Sequence, residues 1–277
     1  MFTRGQYFKN LGFKSDPFAS TNAENEEHLQ DYFVNPPYFA SLVGDFEAPK
    51  SSIVLAPRGF GKTAQKRKFE HLAEENHESI ISIVYDDFPI DGFTKASDIK
   101  IEKHLRKIIK HLLIAFLSKM HSYQTEVTFD EFERNKILEL VSKYLNDLTP
   151  SEITSSIKSI KGFKGKLYDI WLTASKPINS VVNLILKAKQ LGTVDLSFNV
   201  PQQKLDSLPQ VDDIIFIESL FSKLGVNSVY ILVDKVDENN LTTNDSLASY
   251  TLIKPLLREL KLLERPIVVF KFFSGIS

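Results

Sequence analysis

The run Ala56, Pro57, Arg58, Gly59, Phe60, Gly61, Lys62, Thr63 combines residue types that suit a bound phosphate. Glycines at 59 and 61 let the backbone turn tightly, so that several N–H groups converge on one anion. A helix opening near Gly61 would add the positive end of its dipole. Lys62 offers a cation to the outer phosphates of a nucleotide, and Thr63 offers a hydroxyl to Mg²⁺. Pro57, Arg58, Phe60 and Ala64 complete the candidate cofactor contacts. The general pattern is G-x-x-x-x-G-K-[ST], and here Ala56 replaces its first glycine. Alanine fits there if it ends a strand with negative φ. The competing reading is a strand-to-helix turn that needs glycine for geometry alone.

Such a loop requires a carboxylate at the end of a neighbouring strand to hold Mg²⁺, usually through water. The run Val-Tyr-Ile-Leu-Val ends in Asp234, which would emerge at the carboxyl edge of a sheet, where ligands of open α/β sheets sit. By itself Asp234 also reads as a strand terminator or a helix cap. Hydrolysis needs a group that orients or deprotonates water. Lys235 follows Asp234 directly, and a charged lysine cannot act as a base. Glu238 is the first candidate and Asp237 the second; Asp86 and Asp87 are more distant ones. Lys271, on the last apolar run, is a candidate sensor of the terminal phosphate, with Ser274 competing and a solvent-reaching lysine as the alternative.

The elements that must position these residues are legible as apolar runs. Ser51 to Ala56 and Ser79 to Tyr85 read as buried strands, with a helix over "GKTAQKRKFEHLAEEN" between them whose Ala64, Phe69 and Leu72 face a core. Strand, glycine loop, helix, strand is a βαβ unit and predicts a parallel sheet. Residues 97–192 change character. Ile101, Leu105, Ile108, Ile109, Leu112, Leu113, Phe116 and Leu117 follow helical spacing, and two more helical stretches come after with no strand pattern between them. The expected organisation is an N-terminal arm packed on the core (1–50), a first core part (51–96), a helical insertion lobe (97–192) and a second core part (193–277). The expected fold class is α/β, a P-loop NTPase parallel sheet with helices on both faces and that large helical insertion.

Composition excludes several chemistries. The 277 residues contain no cysteine, which removes disulfides, thiolate metal sites and cysteine nucleophiles. A net charge of −1 does not argue for nucleic acid or an anionic membrane as a partner of the whole molecule. No run of about 18 apolar residues predicts a membrane span, and the N-terminus lacks the apolar core of a signal peptide. The expected location is the cytoplasm.

Taken together, "LAPRGFGKT" and "YILVDKVDE" resemble the ASCE branch of P-loop NTPases. The acidic segment, D-x-x-D-E after an apolar strand, is similar to the STAND class; "LGFKSDPFAS" looks like the segment by which related AAA-type ATPases cover adenine, and together with "QDYFVNPPYF" it resembles a bacterial STAND-like ATPase family. The resemblance leaves out the helical lobe. It implies ATP and Mg²⁺ as cofactors, Lys62 and Thr63 on phosphate and metal, Asp234 on metal, and Glu238 or Asp237 on water. Pro17 and Phe18 would flank the base or pack in a core. It implies an ATP-driven switch, by analogy in signalling or antiviral defence. The class usually has a fifth parallel strand, so its absence would leave the loop's strand at the sheet edge, open to self-association or a protein partner. Two other functions compete: a DNA-handling ATPase, given the lysines of the helical segment (Lys100, Lys103, Lys107 and Lys110 among them), and a scaffold that binds nucleotide without hydrolysing it.

Overall fold

The computed structural model describes residues 3–13, 16, 23–26, 29–57, 59–122, 127–146, 148–162, 178–193 and 209–275. Arg58, Pro17 and Phe18 lie outside the described residues. The chain is mixed α/β, built on a five-stranded, mostly parallel sheet. Its strands are β1 (Ser52–Ala56), β2 (Ile80–Tyr85), β3 (Ile160–Lys161), β4 (Ser228–Val233) and β5 (Val268–Gly275). Their spatial order is β1-β5-β4-β2-β3, with β1, β5, β4 and β2 mutually parallel and β3 antiparallel to β2. β5 therefore lies between the strand that enters the glycine loop and the strand that ends at Asp234.

The helices are α1 (Arg4–Asn10), α2 (Leu29–Tyr32), α3 (Phe39–Val43), α4 (Lys62–Glu75), α5 (Ile101–Ser122), α6 (Glu131–Leu145), α7 (Pro150–Ser159), α8 (Ile178–Ala188), α9 (Val211–Lys223), α10 (Ser246–Arg258) and α11 (Leu260–Leu263). Their boundaries follow side-chain chemistry. Asp130 and Thr149 cap α6 and α7, each answered by a glutamate three residues on. α9 stops two residues before Gly225, which takes φ 70.

Side-chain alternation divides the sheet into two faces. On one face Ile81, Ile83 and Tyr85 of β2, Val229, Ile231 and Val233 of β4, and Phe270 and Phe272 of β5 join the apolar sides of α5, α6 and α9 in one continuous core. The helices of residues 97–192 thus share their core with the sheet. On the opposite face Val54, Tyr230, Leu232, Val269 and Phe273 meet Phe69 and Ala73 of α4, and Phe39 and Leu42 of α3 cover them. The segment before β1 is pinned to this second face: Ser228 Oγ donates to the Phe46 carbonyl, and Gln65 Nε2 donates to Tyr38 Oη at 2.9 Å.

β3 corrects the expectation that no strand interrupts the helical segment. It has two residues, Ile160 opposite Ile83 and Lys161 opposite Ser82, too few to leave a period in the sequence. Gly162, at φ 99, lets the chain leave the sheet; a Cβ there would sit 2.2 Å from the Ile80 carbonyl oxygen.

Candidate functional site

β1 delivers the chain to the loop at the carboxyl end of the sheet. Ala56 ends the strand and pairs with Gly275, the last residue of β5. Gly59 and Gly61 then take φ 87 and 77, conformations that cost an L side chain strain, and an added Cβ at either would meet nothing within 4 Å. Their role is therefore conformational. Gly61 is the N-cap of α4 and supplies no side-chain hydrogen bond, so the first turn of this 14-residue helix has no side chain satisfying its N–H groups at the cap. Lys62, the first residue of α4, folds back over the loop: Nζ donates to the carbonyls of Ala56 at 2.9 Å and Pro57 at 3.2 Å. Thr63 and Ala64 follow it, both half-buried, and Phe60 projects from the loop into solvent.

The acidic strand reaches the same place. Asp234 follows β4 directly and is only 3% exposed. Its Oδ2 lies 3.0 Å from Nζ of Lys66, which stands one helical turn after Lys62 on α4. The contact is a buried ion pair between an ammonium and a carboxylate. It places the helix of the glycine loop and the end of β4 in direct contact.

The charges around the pair alternate. Lys66 also donates to Glu24 at 2.9 Å, Glu24 meets Lys235 Nζ at 3.0 Å, and Lys235 reaches Asp86 at 3.2 Å. Lys235 adopts φ 54, a left-handed conformation uncommon outside glycine, and from it the side chain reaches both acids. Burial works against each of these charges, but the partners outweigh it. Lys66 is held above the usual lysine range by Asp234 and Glu24, Lys235 is raised by Glu24 and Asp86, and Glu24 is held below the usual carboxylate range by Lys66 and Lys235.

The candidate water-handling residues separate. Glu238 is exposed in the turn after β4. Asp237 is half-buried and lies over the end of β5: a Cβ built on Gly275 would be 2.7 Å from its Oδ2. Because Gly275 pairs with Ala56, this carboxylate stands one strand away from the start of the loop. Asp87 is exposed and bound to Lys107 at 2.8 Å, and Asp86 belongs to the alternating ladder.

Lys271 is not brought to the loop. It pairs with Ser52 at the opposite end of β1, four residues from the carboxyl edge of β5. Its ammonium donates to the carbonyls of Leu42 and Lys50 and lies 5.7 Å and 5.5 Å from the ring centroids of Phe69 and Tyr230. Burial pushes its pKa down to about 8. A buried lysine with two backbone acceptors anchors the N-terminal segment in this position. Ser274 is nearer the edge, opposite Leu55.

Among the described residues no group of three or more His, Asp or Glu is placed to hold a metal ion. Mg²⁺ bound with a nucleotide needs less, commonly one or two carboxylates plus phosphate oxygens and water. Thr63 and Asp234 are of the donor types that this requirement calls for, with Asp234 Oδ2 already paired with the Lys66 ammonium.

Sequence reading did not single out Lys66 or Glu24. Lys66 had a usable signal: it is four residues after Lys62 and three before Phe69, so a helix brings it to the face that enters the core. The buried side of α4 carries Gln65, Lys66, Phe69, Glu70 and Ala73, a more polar face than Ala64, Phe69 and Leu72 would make. Glu24 had no local signal, because only the path of the N-terminal segment over α4 brings it there.

Comparison with family models, with curated proteins and with solved structures finds no match.

Proposed function

We propose that the chain binds a nucleoside triphosphate, ATP by the resemblance of its motifs, together with Mg²⁺, and that it acts as a STAND-like switch with slow hydrolysis. The observation that carries this reading is the 3.0 Å contact between Lys66 and Asp234. It brings three features to one end of the sheet: a glycine loop with two left-handed residues, a helix N-terminus without a side-chain cap, and a buried carboxylate. Anions gather at such helix ends. In this reading the loop backbone and Lys62 hold the phosphates, and Lys62 exchanges its two carbonyl acceptors for phosphate oxygens. Thr63 and Asp234 hold the metal, which when bound neutralises phosphate charge. Asp237, ahead of Glu238, accepts a proton from water or orients it. A role in signalling or defence rests on the resemblance alone.

A second reading is a nucleotide-binding scaffold without turnover. Lys235 next to Asp234 and the exposure of Glu238 favour it. The DNA-handling reading draws less support, because Lys107 and Lys110 are paired with Asp87 and Glu152.

The deciding experiment measures Mg²⁺-dependent ATP binding and turnover on the chain, with Lys62→Ala, Asp237→Asn and Glu238→Gln beside it. Binding that Lys62→Ala weakens at least tenfold, with turnover that Asp237→Asn cuts about a hundredfold or more while binding persists, is the expected result. Binding without turnover in every version selects the scaffold. No binding at all removes the nucleotide reading.

A further inference from the structure

We infer that Lys66 is a built-in cation of the Asp234 carboxylate, and that Glu24 is the acceptor to which it must be released before Asp234 can take a metal ion. This inference rests on the nucleotide reading. It concerns how the chain's own charges control the metal half of that site.

The side chains of Lys66 and Asp234 are 4% and 5% exposed, so water screens neither. The ammonium already lies 3.0 Å from Oδ2, so it occupies space next to the oxygen that a metal ion would use. A divalent ion on the same oxygen would face Lys66 at close range in a poorly screened setting, so the two cations compete. Lys66 has a second partner already in reach, Glu24 at 2.9 Å. A small rotation of the lysine side chain toward Glu24 would free Asp234 without stranding a buried charge. Glu24 in turn is shared with Lys235, which is tied to Asp86 at the end of β2. The order Asp234, Lys66, Glu24, Lys235, Asp86 alternates in sign, so a change at the metal end alters the balance at Glu24 in the N-terminal segment. Metal occupancy and the seating of that segment against α4 are thereby coupled.

The test titrates Mg²⁺ into the full chain with a fluorescent ATP analogue, and reads metal directly by Mn²⁺ electron paramagnetic resonance in the presence of the nucleotide. Lys66→Met is expected to lower the half-saturating metal concentration about tenfold, the size of an ordinary coupling between two sites. Glu24→Gln is expected to raise it, because Lys66 then has Asp234 as its remaining charged partner on that side. Lys66→Arg should stay within about twofold of the parent, since it keeps the cation. Affinity for the nucleotide in EDTA should be nearly equal in all four. Equal metal midpoints in the parent, Lys66→Met and Glu24→Gln, with nucleotide still bound, overturn this inference and leave the loop reading intact. Absence of nucleotide binding in the parent and every variant overturns both. If Lys66→Met fails to fold, as judged by circular dichroism, the shift in Glu24→Gln decides.

Discussion

Single side chains separate the roles that the motifs left open. Lys62→Ala removes the loop's cation, and we expect nucleotide affinity to fall at least tenfold by titration, about 1.4 kcal/mol or more. Glu238 is exposed, whereas Asp237 lies against Gly275. Asp237→Asn should therefore cut turnover by about a hundredfold or more, the lower end for loss of a positioned acid–base group, with Glu238→Gln changing it only slightly. Steady-state rates at saturating ATP check the pair, and the reverse ranking would restore Glu238. Gly275→Ala tests the same geometry from the other side. Its Cβ, 2.7 Å from Asp237 Oδ2, has to push that carboxylate aside. Turnover should drop with binding retained and with little loss of stability, because the obstructing atom is the end of a movable side chain.

At the scale of elements, the N-terminal segment and the sheet are joined by buried polar contacts as well as by packing. Lys271 ties the Leu42 and Lys50 carbonyls to β5. Lys271→Met leaves both without that donor, at a cost of about 1–3 kcal/mol for a buried unsatisfied group, partly offset because no ammonium is then buried. The expected outcome is a modest loss in denaturant midpoint and faster proteolytic cutting within residues 39–50, with the sheet intact. Unchanged cutting would mean that Phe39 and Leu42 hold the segment by packing alone. The Lys66–Asp234 pair belongs to this scale too, since it joins α4 to β4.

For the whole molecule, two buried histidines contribute to the loss of stability on the acid side. His104 sits between the Tyr85 hydroxyl, 2.8 Å from Nδ1, and the Leu252 carbonyl, 3.0 Å from Nε2. Burial lowers the pKa of His104 and of His111 to about 4 each, from the ordinary histidine value of 6.5. Between these values the unfolded chain binds protons that the folded chain refuses, so stability rises with pH across that window and is complete above about 6.5. Each histidine adds a slope approaching about 1.4 kcal/mol per pH unit. Urea midpoints from pH 4 to 7 check this, and His111→Gln should flatten the curve by roughly one histidine's share. The sheet has its own exposed margin. Among the described residues β1 pairs with β5 alone, and Ile53 and Leu55 are 45% and 56% exposed. If this edge self-associates, Ile53→Lys should reduce the apparent mass at high concentration in sedimentation. No helix among the described residues is long and apolar enough to cross a membrane.

The sequence by itself determined the local parts. Apolar β-branched runs specified β2, β4 and β5, whose residues are buried on both faces, and also located β1, although β1 is an edge strand with Ile53 and Leu55 exposed and so is not the buried strand its composition suggested. The glycines at 59 and 61 specified the turn, because few other residues take its φ values without strain. The period of α5 specified a long helix with a buried side. Tertiary structure decided the rest, since it depends on contacts between residues far apart in the chain. Lys271 looked like a phosphate sensor because its position along β5 relative to the loop is a matter of register, and register is set by pairing with β1. Asp237 and Glu238 are neighbours in sequence, yet only the end of β5 distinguishes them. The contact of Lys66 with Asp234 and Glu24 required α4, β4 and the N-terminal segment to converge, because an ion pair depends on distance in space and carries no trace in spacing along the chain.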